Sequence, residues 1–139
     1  MEFSAQSDIS RSPEEVFDRM ADARNEPSWN SQVSRSELVS GAPIGSGSRF
    51  VTVNRGKEYA ATITTYERPN ALGFEVSGKQ MEITASFRLR PSGSGTAMTA
   101  EWDMRPKGIY RLVFRATLAV VRRDLDRQTA SFKAFCERS

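Results

Sequence analysis

Apolar and polar residues change their spacing along the chain. From Val33 to Met104 they alternate at a period of two, and beyond Gly108 they recur at the period of a helix. The clearest alternation is "QMEITASFRLR", which places Met81, Ile83, Ala85, Phe87 and Leu89 on one face and Glu82, Thr84, Ser86 and Arg88 on the other. "TAMTAEWDM" repeats it with Met98, Ala100, Trp102 and Met104, and "LGFEVSG" with Leu72, Phe74 and Val76. Such a pattern marks antiparallel strands with one buried and one wet face. "SQVSRSELVSG", "SRFVTVNR" and "YAATITTYE" read as further strands, separated by turn chemistry in "GAPIGSG", "RGKE", "RPN" and "PSGSG". Tyr59 and Tyr66 are an odd number of residues apart, which predicts opposite faces, with Tyr59 inward beside Ala61 and Ile63.

The two ends of the chain read differently. "FSAQSDIS" alternates weakly and is a candidate first strand. It leads into "SRSPEEVFDRMAD", where Ser12 is an N-cap, Pro13 suits the first helical position and Glu15 completes a capping box. A short helix is predicted from Pro13 to about Met20, with Asp22 capping a second short turn before Pro27. The terminal stretch "GIYRLVFRATLAVVRRDLDRQTASFKAFCE" reads as one long amphipathic helix. Phe114, Leu118, Val121, Leu125, Phe132 and Cys136 form its apolar stripe, flanked by Tyr110, Thr117, Gln128 and Phe135. A helix with one apolar stripe needs an apolar partner, and the sheet has one apolar face. The order predicts a single α+β domain over residues 1–139, a long helix laid on a curved antiparallel sheet of about six to seven strands.

The order and spacing of "SPEEVFDRMAD", "EPSWN", "GSGSRF", "YERPNALGFEV" and the terminal "KGIYRLVFRATLAVVRRDLDRQTASFKAFCE" resemble the START/Bet v 1-like (SRPBCC) superfamily, in its bacterial polyketide cyclase/dehydrase and lipid-transport branch. The resemblance covers nearly the whole chain. It implies a helix-grip fold with a cavity between sheet and terminal helix, which in that superfamily takes lipids, polyketides and other hydrophobic molecules. A few members catalyse cyclisation or dehydration. No shared catalytic motif comes with the resemblance, and no cofactor.

Composition narrows the chemistry. A hydrophobic content of 38% with 27% charged residues is that of an ordinary globular domain. The chain has no histidine and one cysteine, which removes histidine-based triads and the usual zinc sites. No apolar run approaches the length of a membrane span, and "MEFSAQSDIS" lacks the features of a secretory signal. With the lone cysteine, this points to the cytoplasm. The net charge of +3 is spread among acids and bases without a basic-aromatic motif, so no nucleic-acid partner is expected.

The candidate ligand contacts are Trp29, Tyr59, Phe74, Met98, Trp102, Leu125, Gln128 and Phe132. Each also has a plainer reading. Met98 and Trp102 suit a core, Gln128 suits a bond to water or to the sheet backbone, and Trp29 suits a plug at one end of the core. Glu58, Glu75, Glu82, Glu101 and Asp103 read as solvated cross-strand partners of bases, and Cys136 as an inert buried thiol. From Arg105 to Arg123 six bases occur with no acid among them. Lys107, Arg111 and Arg115 are thereby candidates for contact with an anion or an anionic membrane surface. Three functions follow as expectations: a binding module for a small hydrophobic molecule, a cyclase or dehydratase, or a membrane-surface or protein-interaction module. A monomer or a homodimer is consistent with exposed sheet edges.

Overall fold

The computed structural model describes residues 1–138. Seven strands form one antiparallel sheet: β1 (Glu2–Ile9), β2 (Val33–Leu38), β3 (Arg49–Asn54), β4 (Lys57–Glu67), β5 (Ala71–Ser77), β6 (Met81–Ser92) and β7 (Gly95–Pro106). Their order is β1-β7-β6-β5-β4-β3-β2, so the five hairpins from β2 to β7 follow the chain and β1 adds at the far edge. The helices are α1 (Pro13–Ala21), α2 (Glu26–Trp29), α3 (Tyr110–Ala116) and α4 (Leu118–Arg138), with a 3-10 turn at Ala23–Asn25. This is the α+β arrangement of helix on antiparallel sheet that the hydrophobic pattern predicts, and the helix-grip fold that the family resemblance implies. Among the described residues no helix is long and apolar enough to cross a membrane.

Local chemistry places the short helices. Ser12 Oγ accepts from the Glu15 backbone N–H at 3.2 Å and donates to the Glu15 carboxylate at 3.0 Å, so the N-cap and the third helical residue hold one another at the start of α1. Asp22 Oδ1 accepts from the Arg24 N–H at 3.1 Å and caps the following turn. The long helix is fastened at its C-terminal end by Glu137. Its carboxylate accepts from the Ser10 N–H and its carbonyl from the Arg11 guanidinium, each at 2.8 Å.

The sheet departs from strict alternation once within β4. Ile63 pairs with Phe74 and Thr65 with Gly73, so one extra residue is inserted at a bulge. That shift returns Tyr66 to the inner face opposite Leu72, where its ring meets Phe17 edge-on at 5.0 Å. The sequence expectation that Tyr59 and Tyr66 lie on opposite faces is therefore corrected. A count of residues reads face only while the register is unbroken.

The terminal helix also differs from a single rod. Thr117 leaves helical geometry at φ −113° and ψ 14°, separating α3 from α4. Its hydroxyl donates back to the carbonyls of Val113 at 3.2 Å and Phe114 at 3.1 Å. Back-bonding of this kind bends helices, and the threonine that causes it belongs to the stripe's flank. The wet face of the sheet is as expected. Arg105 reaches Asp103 at 2.8 Å and Glu75 at 3.5 Å, and Thr84 donates to Glu75 at 2.6 Å across neighbouring strands.

The interior divides into two apolar clusters. The larger holds Phe17, Phe50, Ile63, Leu72, Met98 and Phe132 among others, and the smaller is centred on Met104, Phe114 and Leu125. Trp102 packs against both. Phe17 is fully buried in the larger cluster. Truncation by Phe17→Ala is expected to cost about 3–5 kcal/mol of unfolding free energy in urea titrations. A loss under about 1 kcal/mol would contradict its place in the core.

Candidate functional site

Three small residues open the interior. Ala61, Ala85 and Ala100 occupy inner positions of β4, β6 and β7. Ala85 lies between Phe74 of β5 and Trp102 of β7, and Ala100 lies opposite Phe87. The large neighbours hold the sheet and α4 apart, and the alanine methyls do not fill the space between. The result is a cavity of about 320 Å³ between sheet and helices. That is the size range of small-molecule sites.

All eight side chains singled out from sequence lie in its wall: Trp29, Tyr59, Phe74, Met98, Trp102, Leu125, Gln128 and Phe132. Trp29 meets Phe132 edge-on, with ring centroids 5.3 Å apart. Phe87 sits edge-on to both Phe74 and Trp102, at 6.5 and 6.2 Å. Tyr59 is fixed from the side by Gly78, where any Cβ would come within 2.5 Å of the phenol ring. Gln128 makes no side-chain hydrogen bond to other described residues. Cys136 lies outside the wall, and burial pushes its thiol up to about 11, which leaves it inert at neutral pH.

Polar groups enter the wall from α2, from the β3–β4 hairpin and from α4. The hairpin turns at Arg55 and Gly56, both at positive φ, 51° and 77°. A non-glycine residue in that region is uncommon, and here the strained residue performs a task. Arg55 reaches Asp124 of α4 at 2.8 Å, and Asp124 also holds Arg127 at 2.7 Å. With its amide turned to satisfy both, the Gln32 oxygen accepts from Arg55 and Arg127 at 2.7 Å. This cluster ties the hairpin and the start of β2 to the long helix beside the cavity.

Glu26 is one of the wall residues that sequence reasoning missed. Its carboxylate accepts from Asn30 Nδ2 at 3.3 Å. Burial pushes its carboxyl up to about 6, against the smaller opposing effect of the Asn30 bond. A glutamate beside a proline in a polar stretch carries no periodic signal. It is half-buried because α2 packs against α4, with Trp29 one turn later facing the same cavity.

The three bases proposed for anion or membrane contact are placed unequally. Lys107 is held by Glu82 at 3.0 Å and by the Gly78 carbonyl at 2.9 Å. Arg111 and Arg115 are exposed on α3 and form no ion pair among the described residues. Beside them Ile109, Leu112 and Val113 are exposed at 79%, 75% and 51%, while Phe114 of the same helix turns into the cavity wall. Phe114 belongs to the apolar stripe read from sequence, and the exposed apolar residues around it lie outside that stripe.

A family model described as polyketide cyclase / dehydrase and lipid transport matches residues 1–137. The chain belongs to that family. No curated protein matches it in sequence. Among solved structures, a START-superfamily protein from Mycobacterium smegmatis aligns with a TM-score of 0.77 at 12% identity, over 99% of this chain and 97% of that one. Ara h 8.0201 aligns at 0.73 and 13% identity, over 100% and 99% of the two chains. A hypothetical protein from Helicobacter pylori aligns at 0.82 and 9% identity, over 98% and 88%. At such identities the likeness shows the Bet v 1/START-like fold. Within the polyketide cyclase/dehydrase and lipid-transport family, the cavity walls of this member therefore have to be read from its own residues.

The displaced titration of Glu26 has a direct consequence. An unfolded glutamate gives up its proton near 4.5 and the folded Glu26 near 6, so between those values the folded state binds more protons. The contribution at this site is complete below the lower value and is lost as pH rises through the upper one. Glu26→Gln keeps a partner for Asn30 and removes the charge. From pH 4 to pH 8 the unfolding free energy of the variant is expected to gain about 2 kcal/mol on that of the wild type. A difference that stays flat with pH would contradict the burial of this carboxyl.

Proposed function

We propose that the protein binds a small hydrophobic molecule in the cavity between the sheet and α4. The observation that carries this reading is the unfilled space at Ala61, Ala85 and Ala100, walled by aromatic and methionine side chains. Methionine is flexible and polarizable and adapts to irregular apolar shapes. Met20, Met81, Met98 and Met104 all contribute to the wall. Trp29, Tyr59, Phe74, Met98, Trp102, Leu125 and Phe132 supply apolar contact in this reading, and Gln128 supplies an unengaged amide. A few polar groups in an apolar wall orient an occupant, as small-molecule sites generally do. The family description, which joins lipid transport with cyclases and dehydrases, supports the same reading.

A neutral dye such as N-phenyl-1-naphthylamine tests it by fluorescence titration of delipidated protein. Saturable binding at one site per chain is expected. Ala85→Phe, which fills the space between Phe74 and Trp102, is expected to weaken the dye about tenfold or more, or roughly 1.4 kcal/mol. Undiminished binding by a folded variant would count against the cavity as the site.

The exposed face of α3 favours a second property, contact with an anionic membrane surface. Ile109, Leu112 and Val113 offer apolar insertion beside Arg111 and Arg115, which form no ion pair among the described residues, and Phe114 links the same helix to the cavity wall. Apolar burial with electrostatic attraction is the usual basis of interfacial binding. Co-sedimentation with phosphatidylserine-containing vesicles is expected at low salt and is expected to be lost in an Ile109→Asp/Leu112→Asp double variant. Equal sedimentation of wild type and variant would refute this contact.

A further inference from the structure

Four charged side chains line the cavity: Asp22, Glu26, Arg55 and Asp124. Three of them are neutralised within the protein. Asp22 binds Arg24 at 2.8 Å, and Arg55 and Asp124 bind one another at 2.8 Å. Glu26 has no ion-pair partner among the described residues, and its side chain receives one hydrogen bond, from Asn30 to Oε2. Oε1 has no partner among the described residues.

Among the described residues the surroundings supply no free cation to Glu26. Arg24 on the preceding turn is held by Asp22, and Arg35 on β2 by Glu37. Arg127 on α4 is held by Asp124, and Tyr59 is the remaining titratable group of the wall. Asn30 is itself buried, and its Oδ1 accepts from the Gln32 N–H at 3.1 Å, so the amide that faces Glu26 is fixed. The arrangement leaves Oε1, an acceptor with no donor among the described residues, at the wall of a largely apolar chamber.

We propose that Glu26 makes the cavity selective for the polar end of its occupant, admitting amphipathic molecules whose head group donates hydrogen bonds, amines and alcohols, and rejecting carboxylates of the same chain length. The inference rests on the reading that the cavity binds a hydrophobic molecule. An ionised carboxylate accepts and does not donate, so an ammonium or hydroxyl group complements it. An ammonium gains more, because a charge-assisted bond in a poorly solvated site is stronger than a neutral one. A second carboxylate would set like charges side by side where water screens them poorly. Trp29, on the same short helix, adds an aromatic surface of the kind that favours a cation.

The test is displacement of the neutral naphthylamine dye by decylamine, decanol and decanoate, each below its critical micelle concentration. Wild-type protein at pH 8 is expected to bind decylamine about tenfold or more tightly than decanoate, with decanol between them. In Glu26→Gln the amine and the carboxylate should fall within about threefold of each other, the variant's fold being checked by thermal melting. A second measurement needs no variant. Decylamine and decanol keep their charge states between pH 8 and pH 5, so the loss of amine preference over alcohol at pH 5 reports protonation of Glu26. Decanoate binding as tightly as decylamine to the wild type at pH 8 would overturn the inference, as would a preference that survives Glu26→Gln. If the dye binds and no preference is found, the cavity reading stands and this inference falls. If the dye does not bind the wild type, both fall.

Discussion

The architecture turns on a local failure of close packing. Protein interiors ordinarily fill to the density of organic crystals, with side chains interlocked across facing layers. Here alanine stands at three inner positions, Ala61, Ala85 and Ala100, between strands that carry Phe74, Phe87 and Trp102. Two apolar clusters border the space, with Trp102 packed against both. The void forfeits contacts along its lining, and the frame around it resists collapse. Glu137 fastens the end of α4 to the β1–α1 junction, and Asp124 fastens its earlier turns to the β3–β4 hairpin through Arg55. A helix held at both places cannot settle into the gap.

The polar wall residues sit within this frame in two roles. Arg55, Asp124, Arg127 and Gln32 satisfy one another and act as a latch. Glu26 and Gln128 are among the polar wall residues with unused bonding capacity. A satisfied cluster fixes geometry, whereas an unsatisfied acceptor in an apolar chamber has a use for what enters it. Trp29 joins the two layers, since it lies on α2 with Glu26 and packs on Phe132 of α4. A tryptophan in a polar connecting stretch is thus part of the cavity wall.

Much of the fold was legible because it depends on period. Alternation in β5, β6 and β7 identifies the inner face residue by residue, and the capping chemistry at Ser12 and Asp22 places the short helices. The eight proposed wall residues follow from the same logic, because a residue on the inner face of either layer must meet the space between layers. What was not legible breaks period or arises from tertiary packing. The bulge at Ile63/Thr65 reverses the face of Tyr66, and Thr117 divides the terminal helix by bonding back to its own previous turn. The depth of Glu26 comes from where α2 rests, and the engagement of Lys107 by Glu82 from how β6 and β7 end together. Cavity volume itself is a small difference between large packed volumes, which no count of apolar residues contains.

The methionines give the account its most direct measurement. Of the five in the chain, Met20, Met81, Met98 and Met104 line the cavity, while Met1 lies outside it at the sheet edge. Methionine methyl NMR during titration with decanol reads occupancy at all five together. The account predicts shifts at the four wall methyls and a stationary Met1 signal. Four stationary wall methyls, with decanol present at saturating concentration, would contradict a cavity that admits a hydrophobic molecule.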